Sequence, residues 1–189
     1  MLLISTFIFI NNLIGVILCN PVIDTNDGKL KGLTRKNKYF GKKIHVFKGI
    51  RYAQPPIGQL RFKKPIPIQK WDDVKDALKF GDKCWQRSGN SEKNLNEDCL
   101  FLNIWTPNIL STSSNQTKDT LKPVMVYIHG GGFRIGKGNI HGLALASHDV
   151  VVVSINYRLG IFGFLYGGSE EAPGNVGLHD QVLALKWVI

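Results

Sequence analysis

Cysteine and methionine are scarce in this chain, with three Cys and two Met among 189 residues. The five histidines (45, 129, 141, 148 and 179) follow no ligand-like spacing and no cysteine pair supports them. We therefore expect no metal and no cofactor. Long basic runs are missing too. The formal net charge is +10, from 24 Lys+Arg against 14 Asp+Glu, a balance that would suit a polyanion. The cations, however, come in ones and twos (Lys36/Lys38, Lys42/Lys43, Lys63/Lys64) among prolines and acids. That pattern reads as a solvated lysine-rich surface, and no nucleic-acid partner is expected. Internal repeats and low-complexity tracts are absent, so the chain reads as one globular unit or part of a larger one.

Charge is lacking altogether from residues 1–19, MLLISTFIFINNLIGVILC. Ser5, Thr6, Asn11 and Asn12 interrupt this apolar run, and it falls short of the roughly 20 apolar residues of a membrane span. A secretory signal peptide fits better, although its usual basic n-region is missing. Cleavage is expected near Cys19 or Asn20, with Pro21 favouring the earlier bond. The mature chain would then be residues 20–189 of a secreted protein; an uncleaved membrane anchor is the alternative.

If Cys19 leaves with that segment, Cys84 and Cys99 remain, an even number in an oxidising compartment. Their pairing would staple the polar segment WQRSGNSEKNLNED, and closing a loop of about 15 residues is worth roughly 3 kcal/mol in the chain-entropy model. Two free buried thiols are the other reading. One sequon, Asn115-Gln116-Thr117, lies in a polar stretch that reads as an exposed loop, so Asn115 is a candidate glycosylation site.

What is present alternates and is strand-rich. Asp27-Gly28 signals a tight turn between two extended pieces. IHVFKGI and CLFLNIWT read as strands, joined by the proline-rich RYAQPPIGQLRFKKPIPIQKW. PVMVYIH and VVVVSINY are β-branched apolar runs of the kind buried on both faces of a mixed or parallel sheet, separated by enough chain for a crossover. The last segment reads as a helix capped by Asn175, with Leu178, Val182, Leu185 and Ile189 as its apolar stripe and Asp180, Gln181 and Lys186 elsewhere. The pattern stops at Ile189 without a C-cap glycine, which we read as a truncation.

HGGGF at 129–133 follows the first of those apolar runs. Glycine loses more backbone entropy on folding than any other residue, so three in a row need a reason. Unshielded backbone N–H groups at a strand end can bind the oxygen that becomes negative when a nucleophile attacks an ester carbonyl. A phosphate-cradling loop would want G-K-[ST], and Arg134-Ile135-Gly136 does not supply it. A purely structural turn is the plainer alternative.

EDCLFLNIWTP at 97–107, HGGGF, NYRLGIFGFL at 156–165 and APGNVGLHDQVLALKWV at 172–188 appear in the order and approximate spacing of one family, and GIRYAQPPIGQLRF at 49–62 matches its N-terminal pattern. By these motifs the chain resembles the type-B carboxylesterase/cholinesterase family from about Val22 to Ile189. The resemblance implies the N-terminal part of an α/β-hydrolase fold, a mixed and mainly parallel sheet with flanking helices. It also implies hydrolysis of a small-molecule carboxylic ester by a serine nucleophile. Gly131 and Gly132 look like the two oxyanion-hole donors, His129 would orient their loop, and Cys84 and Cys99 look like the family's first disulfide. Its loop here looks short, nearer to general carboxylesterases than to cholinesterases, and Trp85 does not match the latter's choline-binding tryptophan.

One departure limits the reading. The family's G-x-S-x-G elbow follows the helix that here ends in KWVI, and no G-x-S-x-G occurs in this chain. Gly167-Gly168-Ser169-Glu170-Glu171 lacks the final glycine, and Ser147-His148-Asp149 are sequence neighbours that cannot form a hydrogen-bonded relay. The chain is expected to supply the oxyanion loop but neither nucleophile, acid nor histidine, and to be inactive alone. A fragment of a non-catalytic cholinesterase-like adhesion protein is the alternative.

Overall fold

The computed structural model describes residues 20–87, 93–109 and 121–189. The expected signal segment at 1–19 and the sequon at Asn115 lie outside them. At the N-terminus the turn at Asp27-Gly28 forms as read. Strands β1 (Val22–Asp24) and β2 (Lys29–Lys31) pair antiparallel around it, with Thr25 and Gly28 exchanging backbone hydrogen bonds of 3.0 and 3.3 Å. A parallel pairing adds β5 (Lys75–Asp76) to this small sheet.

The principal sheet contains β3 (Leu33–Lys36), β4 (Lys43–Arg51), β8 (Phe101–Thr106), β9 (Val124–Ile128) and β10 (Val151–Ile155), in the order β3-β4-β8-β10-β9. It is mixed, as expected, but within the described residues it is not mainly parallel. Pairings β3–β4, β4–β8 and β8–β10 are antiparallel, and only β9–β10 is parallel. The reason is connective: a parallel pair needs a crossover, and here the chain makes one between β9 and β10, carrying the short helix α1 (Leu143–Ala146). Two short pairings, β6 (Lys83–Cys84) with β7 (Leu95–Asn96) and β11 (Tyr166–Ser169) with β12 (Ala172–Pro173), lie outside the main sheet. Helices α2 (Gly160–Phe164) and α3 (Val176–Val188) complete the order.

The two apolar runs fare differently. Successive strand residues face opposite sides of a sheet. In β10, Val152 enters a cluster with Ile44, Val46, Trp105 and Ala146, while Val153 and Ile155 enter another with Phe47, Ile50, Leu102 and Tyr157. That strand is covered on both faces, as read. Strand β9, terminal among the described strands of the sheet, is covered less: Val124, Met125, Tyr127 and Ile128 are exposed, and Val126 packs against the core.

Helix α3 forms where expected but turns a different face inward. Leu178, Val182, Leu185 and Ile189 are exposed, whereas Val176, Gly177, Asp180 and Ala184 are buried. Leu183, Trp187 and Val188 pack on the core beside them. On that inward face Asp180 is 0% exposed and held by Arg158. The Arg158 Nε and Nη2 donate to its carboxylate at 2.8 and 2.7 Å, and the Arg158 backbone N–H at 3.0 Å. This bidentate pair fixes the helix with its acid inside, beside Leu183, while Leu178 and Leu185 face out. Asn175 holds the N-cap position in a left-handed conformation, φ 55°, and makes no side-chain cap hydrogen bond.

Candidate active site

Strand β9 delivers its last residue, Ile128, into His129-Gly130-Gly131-Gly132-Phe133. The His129 ring is buried, stacks on Tyr157 at 4.4 Å between centroids, and its main-chain carbonyl accepts from the Tyr157 hydroxyl at 2.9 Å. Burial holds the His129 pKa below its usual value, outweighing the Gly130 carbonyl that favours the protonated ring. The neutral ring's Nδ1–H donates to that Gly130 carbonyl at 3.0 Å. One residue on, the Gly131 carbonyl accepts the N–H groups of Arg134 and Ile135 at 3.1 and 3.2 Å.

These two tethers fix what the glycines present. In a trans peptide the N–H points opposite to the C=O of the same plane, and the described chain contains no cis bond. Turning the Gly130 carbonyl onto His129 therefore turns the Gly131 N–H away from that ring. Turning the Gly131 carbonyl onto Arg134 and Ile135 turns the Gly132 N–H outward likewise. Among the described residues neither N–H donates to any acceptor, and both glycines are exposed. Positive φ makes this possible, 122° at Gly131 and 60° at Gly132. A Cβ at Gly131 would lie 1.9 Å from the Ile135 carbonyl oxygen, while one at Gly132 would meet nothing within 4 Å. Glycine is thus required at 131 by space and backbone, whereas at 132 the backbone favours it without excluding other residues, since Phe133 holds φ 59°.

Cys84 and Cys99 form a disulfide, with Cα atoms 4.9 Å apart. Its loop approaches the glycines through Gln86, a residue the sequence did not single out. Gly136 N donates to Gln86 Oε1 at 2.7 Å, and Gln86 Nε2 donates to the Gly136 carbonyl at 2.8 Å. Tyr157, Asn156 and the Arg158–Asp180 pair were also missed as site supports. Asn156 Oδ1 accepts from Gly138 N at 2.7 Å and its Nδ2 donates to the Asp82 carbonyl at 2.9 Å. The available signal was the run Asn156-Tyr157-Arg158 at the C-terminal end of a buried strand, where polar side chains are unusual without a partner.

The residues that imitate catalytic groups go separate ways. Ser147 Oγ donates to the Leu143 carbonyl at 2.9 Å, His148 packs edge-on against Phe40, and Asp149 pairs with Lys122. Ser169 ends β11, an exposed strand of the β11–β12 hairpin. Among the described residues no group of three His, Cys, Asp or Glu could hold a metal ion, and no helix is long and apolar enough to cross a membrane.

Comparison with known proteins decides the family. The profile of the Carboxylesterase family matches residues 19–189. The chain belongs to the carboxylesterase family. It is 40% identical to the acetylcholinesterase of Leptinotarsa decemlineata over 193 residues, covering 88% of this chain and 30% of that protein. Cholinesterase of Mus musculus is 42% identical (88% of this chain, 29% of the relative). Esterase cest-33 of Caenorhabditis elegans is 46% identical (83% and 30%). This carboxylesterase-family chain thus spans about 30% of the length of the curated relatives it matches.

Proposed function

We propose that the chain is the N-terminal part of a secreted carboxylic-ester hydrolase of the α/β-hydrolase fold, acting on a small-molecule ester. In that enzyme the Gly131 and Gly132 amides would stabilise the oxyanion formed when a serine nucleophile, carried elsewhere in the protein, attacks the ester carbonyl. The observation that carries the reading is the pair of tethered peptides, which aims two unengaged N–H groups outward from the end of a strand. Donors held in place before the reaction need no reorganisation when charge develops, which is the source of their effect. The relatives' names, acetylcholinesterase, cholinesterase and esterase, support ester hydrolysis as the activity.

Substitution at Gly132 in the complete protein is the test, because a Cβ there meets no protein atom and would stand on the side left open for substrate. Gly132→Ala keeps the N–H but sets a methyl group in that open space, and by blocking approach to the amide should lower kcat for p-nitrophenyl ester hydrolysis by roughly 10²-fold, the scale of losing one oxyanion donor. The Cys84–Cys99 bond should still form. An unchanged kcat would reduce the glycines to a turn.

A further inference from the structure

Gln86 is a buried amide, 8% exposed, two residues after Cys84. All its hydrogen-bonding groups point at backbone. Besides the reciprocal pair with Gly136, at 2.7 and 2.8 Å, Nε2 donates to the Cys84 carbonyl at 3.0 Å. The partners dictate the amide's orientation: the Gly136 N–H must meet an oxygen, and the two carbonyls must meet the NH₂. Gly136 in turn sits at φ 137°, and a Cβ there would lie 2.1 Å from His129 Nδ1. The Gly136 backbone is therefore pressed against the ring that holds the Gly130 carbonyl. Among the described residues, the side chains bonded to the backbone of 130–136 are those of His129 and Gln86.

Resting on the reading above, we propose that Gln86 is a positioning residue for oxyanion stabilisation. It clamps Gly136 beneath His129, so that the ring keeps the Gly130–Gly131 peptide turned and the amides of 131 and 132 stay aimed. Because Gln86 is also bonded to Cys84, the Cys84–Cys99 disulfide and the glycine loop form one connected unit. The loop otherwise lies on an exposed face, with Gly160 N donating to the Phe133 carbonyl at 2.8 Å as its outer anchor. Without the clamp it keeps its chain path but loses the fixed orientation of its peptides.

Gln86→Glu separates this role from packing, since it preserves volume while setting a carboxylate oxygen against two carbonyls. Gln86→Ala removes the amide altogether. In the complete protein, with active sites counted by burst titration, both should lower kcat by roughly 10²-fold, the scale of a small misplacement at the reacting centre. KM should move by less than about threefold, because ground-state binding does not use the oxyanion donors. Hydrogen exchange followed by mass spectrometry should rise in 129–136 while β9 and β10 remain protected. Unchanged kcat, or a fall in kcat with unchanged loop exchange, overturns the proposal. If the wild-type protein hydrolyses no ester, the functional reading falls, and the exchange measurement still decides the clamp. Should neither variant fold, mild reduction of the wild-type disulfide replaces them: exchange in 129–136 must rise before global unfolding, and its failure to do so overturns the link.

Discussion

His129 works as a donor only through a protonated Nδ1, which neutral imidazole supplies in one tautomer. Burial favours that neutral ring and lowers its pKa, so the folded chain binds a proton less tightly than the unfolded one. The stability this contributes is complete above the unfolded value of about 6.5 and is lost as pH falls from there through the lower folded value. Unfolding of the complete protein should therefore become easier from about pH 7.5 to about pH 5, and His129→Asn should flatten that dependence. Equal slopes in urea titrations of the two proteins would remove the ring from the account. His45 shares the direction, its pKa lowered by burial and by Lys43, so the variant should remove part of the slope and not all of it. Lys43 has a second cost, for it stands directly opposite Lys36 in the β3–β4 register, and neither meets an acid among the described residues. Lys43→Glu should stabilise by about 0.2–1 kcal/mol, with the gain shrinking as salt is added; a loss at low salt would contradict it.

The elements show where periodicity alone is ambiguous. Helix α3 carries two stripes at helical spacing, Leu178/Val182/Leu185/Ile189 and Val176/Asp180/Ala184/Trp187, and the more apolar one is the exposed one. Asp180 decides between them, because its partner Arg158 leaves the end of β10 already inside the core. Burial pushes the Asp180 carboxyl up from its ordinary value, against the Arg158 guanidinium that pulls it down. Removing one member of such a pair strands the other charge, which typically costs about 3–5 kcal/mol. Asp180→Ala should thus unfold the complete protein at markedly lower denaturant. An unchanged midpoint would mean that the Arg158–Asp180 pair does not hold the helix in place.

Among the described residues the principal sheet has two unlike edges. Strand β3 ends its side with Arg35 and Lys36, charges that discourage pairing with other strands, while β9 exposes Val124, Met125, Tyr127 and Ile128 at the other. Together with the exposed stripe of α3, that apolar edge leaves much surface in water for 170-odd residues to offset their conformational entropy, of order 1–2 kcal/mol per residue. Residues 20–189 expressed alone into an oxidising compartment should aggregate or remain non-native, and should not turn over p-nitrophenyl esters. A monodisperse monomer by size exclusion with a cooperative melt would refute the first part, and turnover above a matched blank the second. Non-reducing peptide mapping of the complete protein should recover one cross-linked peptide joining Cys84 and Cys99.

Local chemistry made much of this molecule legible beforehand. The Thr25–Gly28 turn, the strands at 43–51, 101–106, 124–128 and 151–155, the helix after Asn175, the cysteine pair and the glycine loop each declare themselves through short-range rules: turn residues, β-branched runs, helical spacing, and glycine where φ is positive. The same rules do not carry partner identity. That β9 ends the sheet among the described residues while β10 lies between two strands follows from strand order, which two similar apolar runs cannot encode separately. The inward face of α3 depends on an arginine 22 positions earlier, and the glycine loop is tied to a glutamine 50 positions before Gly136. Long-range hydrogen bonds between polar side chains and backbone leave no periodicity in the sequence, because their geometry exists only after the chain has brought the two segments together.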